Sequence, residues 1–534
     1  MRNWMAAVIV AAGIVAYHNS LTGPFIFDDF NAIVDNPHIR RLWPVTEALA
    51  APPQSTVDGR PVVALSLALN YALGGLHVTG YHLFNLAVHI GCGLLLFGIV
   101  RRTRDAGAWL ALAGATTWLV HPLATETVNY IIQRTELLMA FFLLLTLYCF
   151  IRGWLVASVA ACAVGMGCKE VMVVAPVLVW LYDRTFLNGT IRQRAGYYAA
   201  LAGTWLVLAA WMAHAPRAES LGTMRPVDYA LTQFGVILHY LRLAVWPAPL
   251  VVDYYDWPVG LNLPATLVII ALVAGTVWAV WRRSWLGFAG AWFFVILAPS
   301  SSVVPIATEL AAERRMYLPL AAVVTVAVVA LRRWRWAWMA LAVPLAVATI
   351  QRNETYRSEA GILADTVAKR PGNARAQVNL GVALVKAGRV EEGIAQCRAA
   401  LRIKPGYDYA HYNLGVALAL QGRLAEARAE FEAALRQAPG SAPAHLNLGR
   451  VLAQLGDLDG AVRELGRGVR LLPGDVEARC DYGSALAQQG RLAAALAQFR
   501  EAVRLDPRHE KARRLLELTR HRVAGYVPPH STKE

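Results

Sequence analysis

Charge is scarce in this chain. Asp, Glu, Lys and Arg make up 16% of its 534 residues, too little to solvate a soluble protein of this length. What charge there is leans one way: 51 basic against 36 acidic residues, a formal net charge of +15. The basic residues form no continuous stripe, which argues against nucleic-acid binding. Their clustering in short turns between apolar runs fits topology-setting loops on one side of a membrane. Cysteine is also rare. None of the six forms a CxxC pair, and Cys397 and Cys480 lie 83 positions apart, so neither a zinc site nor a disulfide framework is indicated. No His/Asp spacing names a metal.

What the chain has in quantity is apolar sequence, 57% of residues with a mean hydropathy of +0.40. The long apolar runs lie in residues 1–351 and predict a membrane-embedded helical domain. Residues 352–370 read as a linker, 371–507 as helical repeats, and 508–534 as a capping helix and tail. Eleven spans are predicted, near 4–21, 82–100, 107–120, 137–151, 154–168, 171–187, 197–213, 262–281, 285–299, 316–331 and 336–350. Several fall short of the ~20 residues that cross a hydrocarbon core upright. Residues 61–76 read as an amphipathic interfacial segment, with Arg60 at the lipid headgroups. The segment 228–247 carries Gln233, His239 and Arg242 and ends at Pro247, so it reads as interfacial or re-entrant. On that reading Arg101, Arg102 and Arg104, Arg152, Arg184, Arg192 and Arg194, Arg282 and Arg283, and Arg332, Arg333 and Arg335 all share the inner side. The N-terminus is then inside and the C-terminal domain outside.

The outer loops are long and acid-bearing. They hold "GPFIFDDFNAIVDNPHIRR" with Asp28 and Asp29 side by side, "HPLATETVNYIIQRTELL" from His121 to Leu138, "CKE" at Cys168–Glu170, and "ATELAAERRMYLP" from Ala307 to Pro319. Ionisable groups at a membrane boundary are functional candidates, because burial there is costly without partners. Adjacent carboxylates repel, which raises one pKa, and their side chains point apart, so one belongs in a site and one at its edge. Taken alone, such a pair is equally an Asp turn capping the next helix. Arg134, Lys169 and Arg314 stand beside Glu136, Glu170 and Glu313, and local salt bridges are the plain reading of each. Tyr317 reads as an interfacial anchor.

The C-terminal third repeats every 34 residues. Pro371, Pro405, Pro439, Pro473 and Pro507 are in register, as are Gly381, Gly415, Gly449 and Gly483, and Gly388, Gly422, Gly456 and Gly490. This resembles the tetratricopeptide repeat, two antiparallel helices per unit stacked into an α-solenoid. Asn379, Asn413, Asn447 and Asp481 share one position of each first helix. An amide offers both a donor and an acceptor, suited to an extended peptide backbone, although Asn is common at this position in such repeats.

The motifs "FIFDDFNAIVDNPHI", "GRPVVALSLALNYALGGLHVTGYHLFNLAVH", "HPLATETV", "RTELL", "CKE" and "AERRMYLP", followed by the repeats, resemble as a set the transmembrane and tetratricopeptide-repeat proteins, regarded as protein O-mannosyltransferases of the C-type glycosyltransferase fold. The chain departs from that family at Ala124, where a second His is usual, and at Gln133, where a small residue is common; Arg315 is not carried over. The Ala/Arg-rich composition suggests a bacterial relative. The resemblance implies an all-α polytopic glycosyltransferase domain followed by the repeats. It would use a polyprenyl-phosphate-linked hexose, mannose-like, and transfer it to Ser or Thr of exported proteins. It would sit in the bacterial inner membrane with site and repeats on the periplasmic side. Asp28 or Asp29 would be the base, the other orienting the acceptor or binding a divalent ion. Arg134, Lys169 and Arg314 would hold the leaving phosphate; His121, Glu126, Glu136 and Glu170 would orient sugar or acceptor. No metal is required if these cations carry the charge, although a divalent cation is compatible. The repeats would bind the acceptor or a partner protein. Two alternatives are sugar transfer to a lipid or cell-envelope glycan, and a non-catalytic membrane-anchored scaffold. A transporter would need repeated halves and mid-membrane charge, which the sequence lacks.

Overall fold

A computed structural model of the chain describes residues 3–52, 55–103, 107–187, 189–214, 224–301, 309–334 and 337–523. Arg104, Arg335, the loop start at residues 307–308 and the tail after residue 523 lie outside them. Every regular element among the described residues is helical. The chain forms two compact units, Met1–Lys369 and Arg370–Glu534. Helices of eight residues or more are numbered in chain order.

The first unit contains α1 (Asn3–Tyr17), α2 (Pro61–Gly74), α3 (Val78–Arg102), α4 (Ala108–Leu119), α5 (Arg134–Ile151), α6 (Leu155–Met166), α7 (Ala175–Tyr182), α8 (Ala195–His214), α9 (Pro226–Val245), α10 (Leu263–Trp281), α11 (Trp285–Leu297), α12 (Pro319–Ala330), α13 (Ala337–Thr355) and α14 (Glu359–Lys369). Proline in the first turn sets where α2, α9, α10 and α12 begin, where its missing N–H costs nothing. Among the described residues, four segments are long and apolar enough to cross a membrane by themselves: Val78–Arg102, Ile131–Ile151, Ile191–Ala213 and Leu263–Trp281. The other expected spans also coincide with helices, but these are shorter or, like α13 with its internal Pro344, more polar.

The two segments read as interfacial are both helices. In α2, Val63, Ala64, Leu67 and Ala68 are buried while Leu65, Leu69 and Leu73 form an exposed apolar stripe. In α9 one face is buried through Tyr229, Gln233, Val236, Tyr240 and Leu243. Gln233 donates to Leu310 O at 3.1 Å, and the Tyr240 hydroxyl accepts from Ala312 N at 2.8 Å. The hairpin of α10 and α11 closes tightly because Gly287 lies against the α10 backbone: a Cβ there would stand 2.3 Å from Val280 N.

Residues 352–370 are not a linker. Helix α13 runs to Thr355, and α14 fills most of the remainder within the first unit. The end of α14 at Lys369 stands one repeat length before the end of the next second helix at Ile403, so α14 is in register with the repeats that follow.

The second unit alternates first helices α15 (Ala374–Lys386), α17 (Asp408–Leu420), α19 (Ala442–Gln454) and α21 (Val476–Gln488) with second helices α16 (Val390–Ile403), α18 (Leu424–Gln437), α20 (Leu458–Leu471) and α22 (Leu492–Leu505), and ends with α23 (Glu510–Val523). The periodic glycines hold each pair together. Gly381, Gly415, Gly449 and Gly483 meet Cys397, Phe431, Leu465 and Phe499, all closer than a Cβ allows. A polar clasp recurs as well: Gln377, His411, His445 and Arg479 donate to the carbonyls of Pro371, Pro405, Pro439 and Pro473. His411 and His445 also bond Glu430 and Glu464 on the paired helix.

Candidate active site

The segment expected as an outer polar loop is the most enclosed part of the first unit. Every residue from 121 to 140 is buried, and its side chains and amides bind distant segments one after another. Glu126 holds Arg314. Val128 O and Ile131 O accept from Asn85. Asn129 bonds Asn353 at 2.8 Å.

Asp29 fastens the opening loop to this segment. One carboxylate oxygen accepts from Ile132 N at 2.8 Å and the other from Ile26 N at 3.0 Å. The partner Ile26 lies before Asp29, so Asp29 does not cap the helix that follows. Burial pushes its carboxyl up to about 8, against the two backbone bonds; the charge of Asp28 adds less. The shift expected from carboxylate repulsion is thus chiefly a desolvation effect. Fully buried, with each oxygen accepting from a backbone N–H, Asp29 braces the loop and does not present its carboxylate to an acceptor or an ion.

Asp28 faces the other way. Its backbone N–H donates to the Tyr130 hydroxyl at 2.9 Å. Its side chain is exposed and makes no hydrogen bond or ion pair among the described residues. The residue before it, Phe27, has φ +48°, a left-handed conformation that a bulky L-residue adopts at a cost and that concentrates at functional sites. Its ring meets Tyr130 edge-on at 5.7 Å. Tyr130 in turn lies within electrostatic reach of Asp28, Asp29 and Arg314.

The three candidate cations pair differently from their sequence neighbours. Arg134 does not pair with Glu136. Its guanidinium is fully buried and donates to Asn85 Oδ1 at 2.9 Å, Tyr81 O at 3.1 Å and Ser66 O at 3.2 Å, with the Phe84 ring 4.2 Å away. That shell of neutral acceptors and aromatics makes Arg134 a clamp between α2, α3 and α5 rather than a phosphate ligand. Lys169 pairs with Glu136, not Glu170; burial lowers its pKa, with Glu136 opposing. Glu170 instead meets Arg60 at 3.3 Å, and Arg60 is buried rather than set at the headgroups. Arg314 pairs with Glu126 at 2.6 Å and with Glu309. Burial works against its charge, but Glu309 and Glu126 together hold its pKa well above the usual value. Glu313 is buried separately, accepting from Val251 N at 2.6 Å and Tyr254 Oη at 2.7 Å.

Two further candidates are internal. His121 Nδ1 accepts from Leu123 N and Nε2 donates to Ala244 O, both at 3.2 Å. Burial lowers its pKa to about 4, so it is a neutral packing histidine with no ring nitrogen left for sugar. Tyr317 is buried against His89 at 2.6 Å and is not an interfacial anchor.

On the repeats, Asn379, Asn413, Asn447 and Asp481 are half-buried. Asn413 donates to Tyr409 O of its own helix and Asn447 to Tyr412 Oη. Arg450 bridges Asn447 and Asp481, and Lys511 takes the other oxygen of Asp481. Among the described residues no cluster of three or more His, Cys, Asp and Glu is placed to hold a metal.

Comparisons with known proteins cover part of the chain. The chain is 30% identical over 203 residues to the human protein O-mannosyl-transferase TMTC4, covering 31% of this chain and 27% of that protein. It is 31% identical over 188 residues to Drosophila melanogaster protein O-mannosyl-transferase Tmtc1, covering 32% and 22%. The chain thus spans about a quarter of the length of the curated relatives it matches. Among solved structures it is similar to YrrB, described as a tetratricopeptide-repeat protein with an unusual peptide-binding site, at 28% identity, 31% and 85% coverage and a TM-score of 0.29. Tetratricopeptide-repeat family models match residues 360–408, 418–480 and 476–509, the first taking in α14. The C-terminal part of this chain is a tetratricopeptide-repeat array.

Proposed function

We propose that this chain is a membrane glycosyltransferase. It moves a mannose-like hexose from a polyprenyl-phosphate-linked donor to Ser or Thr hydroxyls of exported proteins, and the repeats engage the acceptor or a partner. The observation that supports this is the exposed Asp28 carboxylate, set on the strained Phe27 and tied through Asp29 and Tyr130 to the segment that also holds Arg314 and Lys169. Similarity to protein O-mannosyl-transferases supplies the reaction class.

The chemistry is one displacement. Asp28 takes the proton of the acceptor hydroxyl, and the hydroxyl oxygen bonds to the anomeric carbon. The bond from that carbon to the phosphate oxygen breaks, and the lipid phosphate leaves with the electron pair. Arg314 and Lys169, each partly accessible at 14% and 13% of the side chain, stabilise that departing charge. Glu126 and Glu136 hold these cations in place, and Glu170 orders the adjoining loop through Arg60. A single free carboxylate is a poor chelate for a divalent ion, so transfer is expected to survive EDTA. The site faces the periplasm of a bacterial inner membrane, where a lipid-linked sugar and an exported chain meet. Asn379 and Asn413 would contact an extended acceptor running along the repeats.

The test compares glycopeptides of exported proteins from cells carrying the wild-type chain or Asp28→Asn at equal membrane levels. Loss of an acidic base predicts a fall of about 10²–10⁴-fold in transfer, with partial recovery in Asp28→Glu. Unchanged protein glycosylation in Asp28→Asn rejects the mechanism. A change confined to envelope glycans or glycolipids moves the acceptor from protein to those molecules.

A further inference from the structure

The other end of the helices holds a cavity that sugar transfer does not use. Its volume is about 450 Å³, and it runs along α12 from Ala321 to Arg332, beside the ends of α3 and α5 and the starts of α4 and α11. The walls are apolar, with Leu96, Ile99, Leu147, Phe288, Ala322 and Val329 among them. Its polar lining is Thr103, Tyr182, Thr185, Thr325 and two cations, Arg283 and Arg332, and no carboxylate is part of it. Both arginines are exposed and neither has an ion pair among the described residues. Arg283 has φ +54° in the turn between α10 and α11. Glycine adopts that conformation freely and an L-residue does so at a cost, so the strained position points to a use for the guanidinium.

We propose that this cavity binds one anionic glycerophospholipid, an acyl chain lying between the helices and the phosphate against Arg283 and Arg332. The apolar walls suit a hydrocarbon chain. Guanidinium groups suit a phosphate in bidentate geometry, and basic pockets at the ends of membrane helices take anionic headgroups. Two cations with no acid select a lipid of net negative charge over a zwitterionic one. The polyprenyl-phosphate donor is the wrong occupant on position. Arg314 precedes α12 and Arg332 follows it, so the arginine end of the cavity lies about 18 Å along that helix from the candidate site, while the apolar wall reaches Ala321 and Ala322 near the start of α12. The inference rests on the membrane reading of this unit and is independent of any transfer reaction.

The test is native mass spectrometry of the full chain purified in detergent and offered equimolar dioleoylphosphatidylglycerol and dioleoylphosphatidylcholine. One phosphatidylglycerol per chain is expected, held in preference to phosphatidylcholine. The double variant Arg283→Gly with Arg332→Gln should retain it about 25-fold less well. Because Arg283→Gly relieves the turn, the double variant should unfold in lipid-free detergent no earlier than the wild type, which separates lost binding from lost fold. Ala322→Phe, which fills the cavity and keeps both arginines, should also lose the adduct. Equal retention of both lipids, full retention by the double variant, or polyprenyl phosphate as the bound species overturns the proposal.

Discussion

The two units use ion pairs in opposite ways. In the repeats many pairs are local and exposed: Arg389 with Glu392, Arg423 with Glu426, Arg428 with Glu432 and Arg504 with Glu501 are three or four residues apart on one helix, while pairs such as Arg450 with Asp481 and His445 with Glu464 join neighbouring helices. In the first unit Arg60 reaches Glu170 across 110 positions, Lys169 reaches Glu136 across 33 and Arg314 reaches Glu126 across 188. The first kind adds a few tenths to a helix and is screened by solvent. The second kind is desolvated, so each member is dependable only while the other is present. The local pairs of the repeats are surface details, and a charge beside the 121–140 segment is part of the frame.

The comparison breaks most directly at Arg314. Arg314→Met leaves Glu126 buried without its cation and should cost on the order of 3–5 kcal/mol, read as a lowered unfolding midpoint in detergent together with lost transfer. A stable Arg314→Met protein would mean that the pair is not structural. In the repeats the corresponding weak point is steric. Gly483→Val would drive a side chain into Phe499, 2.5 Å from the position of the new Cβ, at a cost of about 1–3 kcal/mol. Circular dichroism melts of the whole chain would show it as a shift of the repeat transition; an unshifted melt would refute the close contact.

A smaller effect is a pH slope confined to the first unit. Asp29 and Glu313 are both pushed up to about 8, chiefly by burial, whereas in the unfolded chain such groups titrate near ~4. Between these values the folded state binds more protons than the unfolded one. The stability they contribute is therefore present below pH ~4 and lost as pH rises toward about 8. The unfolding midpoint of the first unit should fall from pH 5 to pH 8, and Glu313→Gln should flatten that slope; a flat wild-type profile would contradict it. Smallest of all, Arg389→Ala should leave the melt of the repeats unchanged, because its pair with Glu392 is exposed. A measurable loss would erase the contrast between the two units.

What the sequence discloses tracks the range of the interactions. Pro371 through Pro507 and Gly388 through Gly490 mark turns by local rules, and the turn glycines all have φ between +73° and +84°. The register of α14 is also readable, since Lys369 and Ile403 end equivalent helices, but no proline inside 352–370 advertises it, and Gly361 lies within α14 rather than at a turn. Adjacency correctly puts Asp28 and Asp29 in different surroundings. It says nothing of which is buried, because that depends on Ile132, more than a hundred positions away. Adjacency misleads at Arg134 and Glu136, two apart on a helix and therefore pointing to different neighbours. Nor does any residue type signal the strain at Phe27, where glycine is absent although the backbone is left-handed.

The unbroken burial of residues 121–140 has a consequence for how the first unit moves. An amide there exchanges its hydrogen with solvent only when the surrounding bundle opens, so this stretch should be among the last in the molecule to take up deuterium. The segment 23–41, with alternating exposed and buried residues, should exchange much earlier. Any breathing of the backbone around Asp28 therefore belongs to the 23–41 segment, while residues 121–140 stay closed.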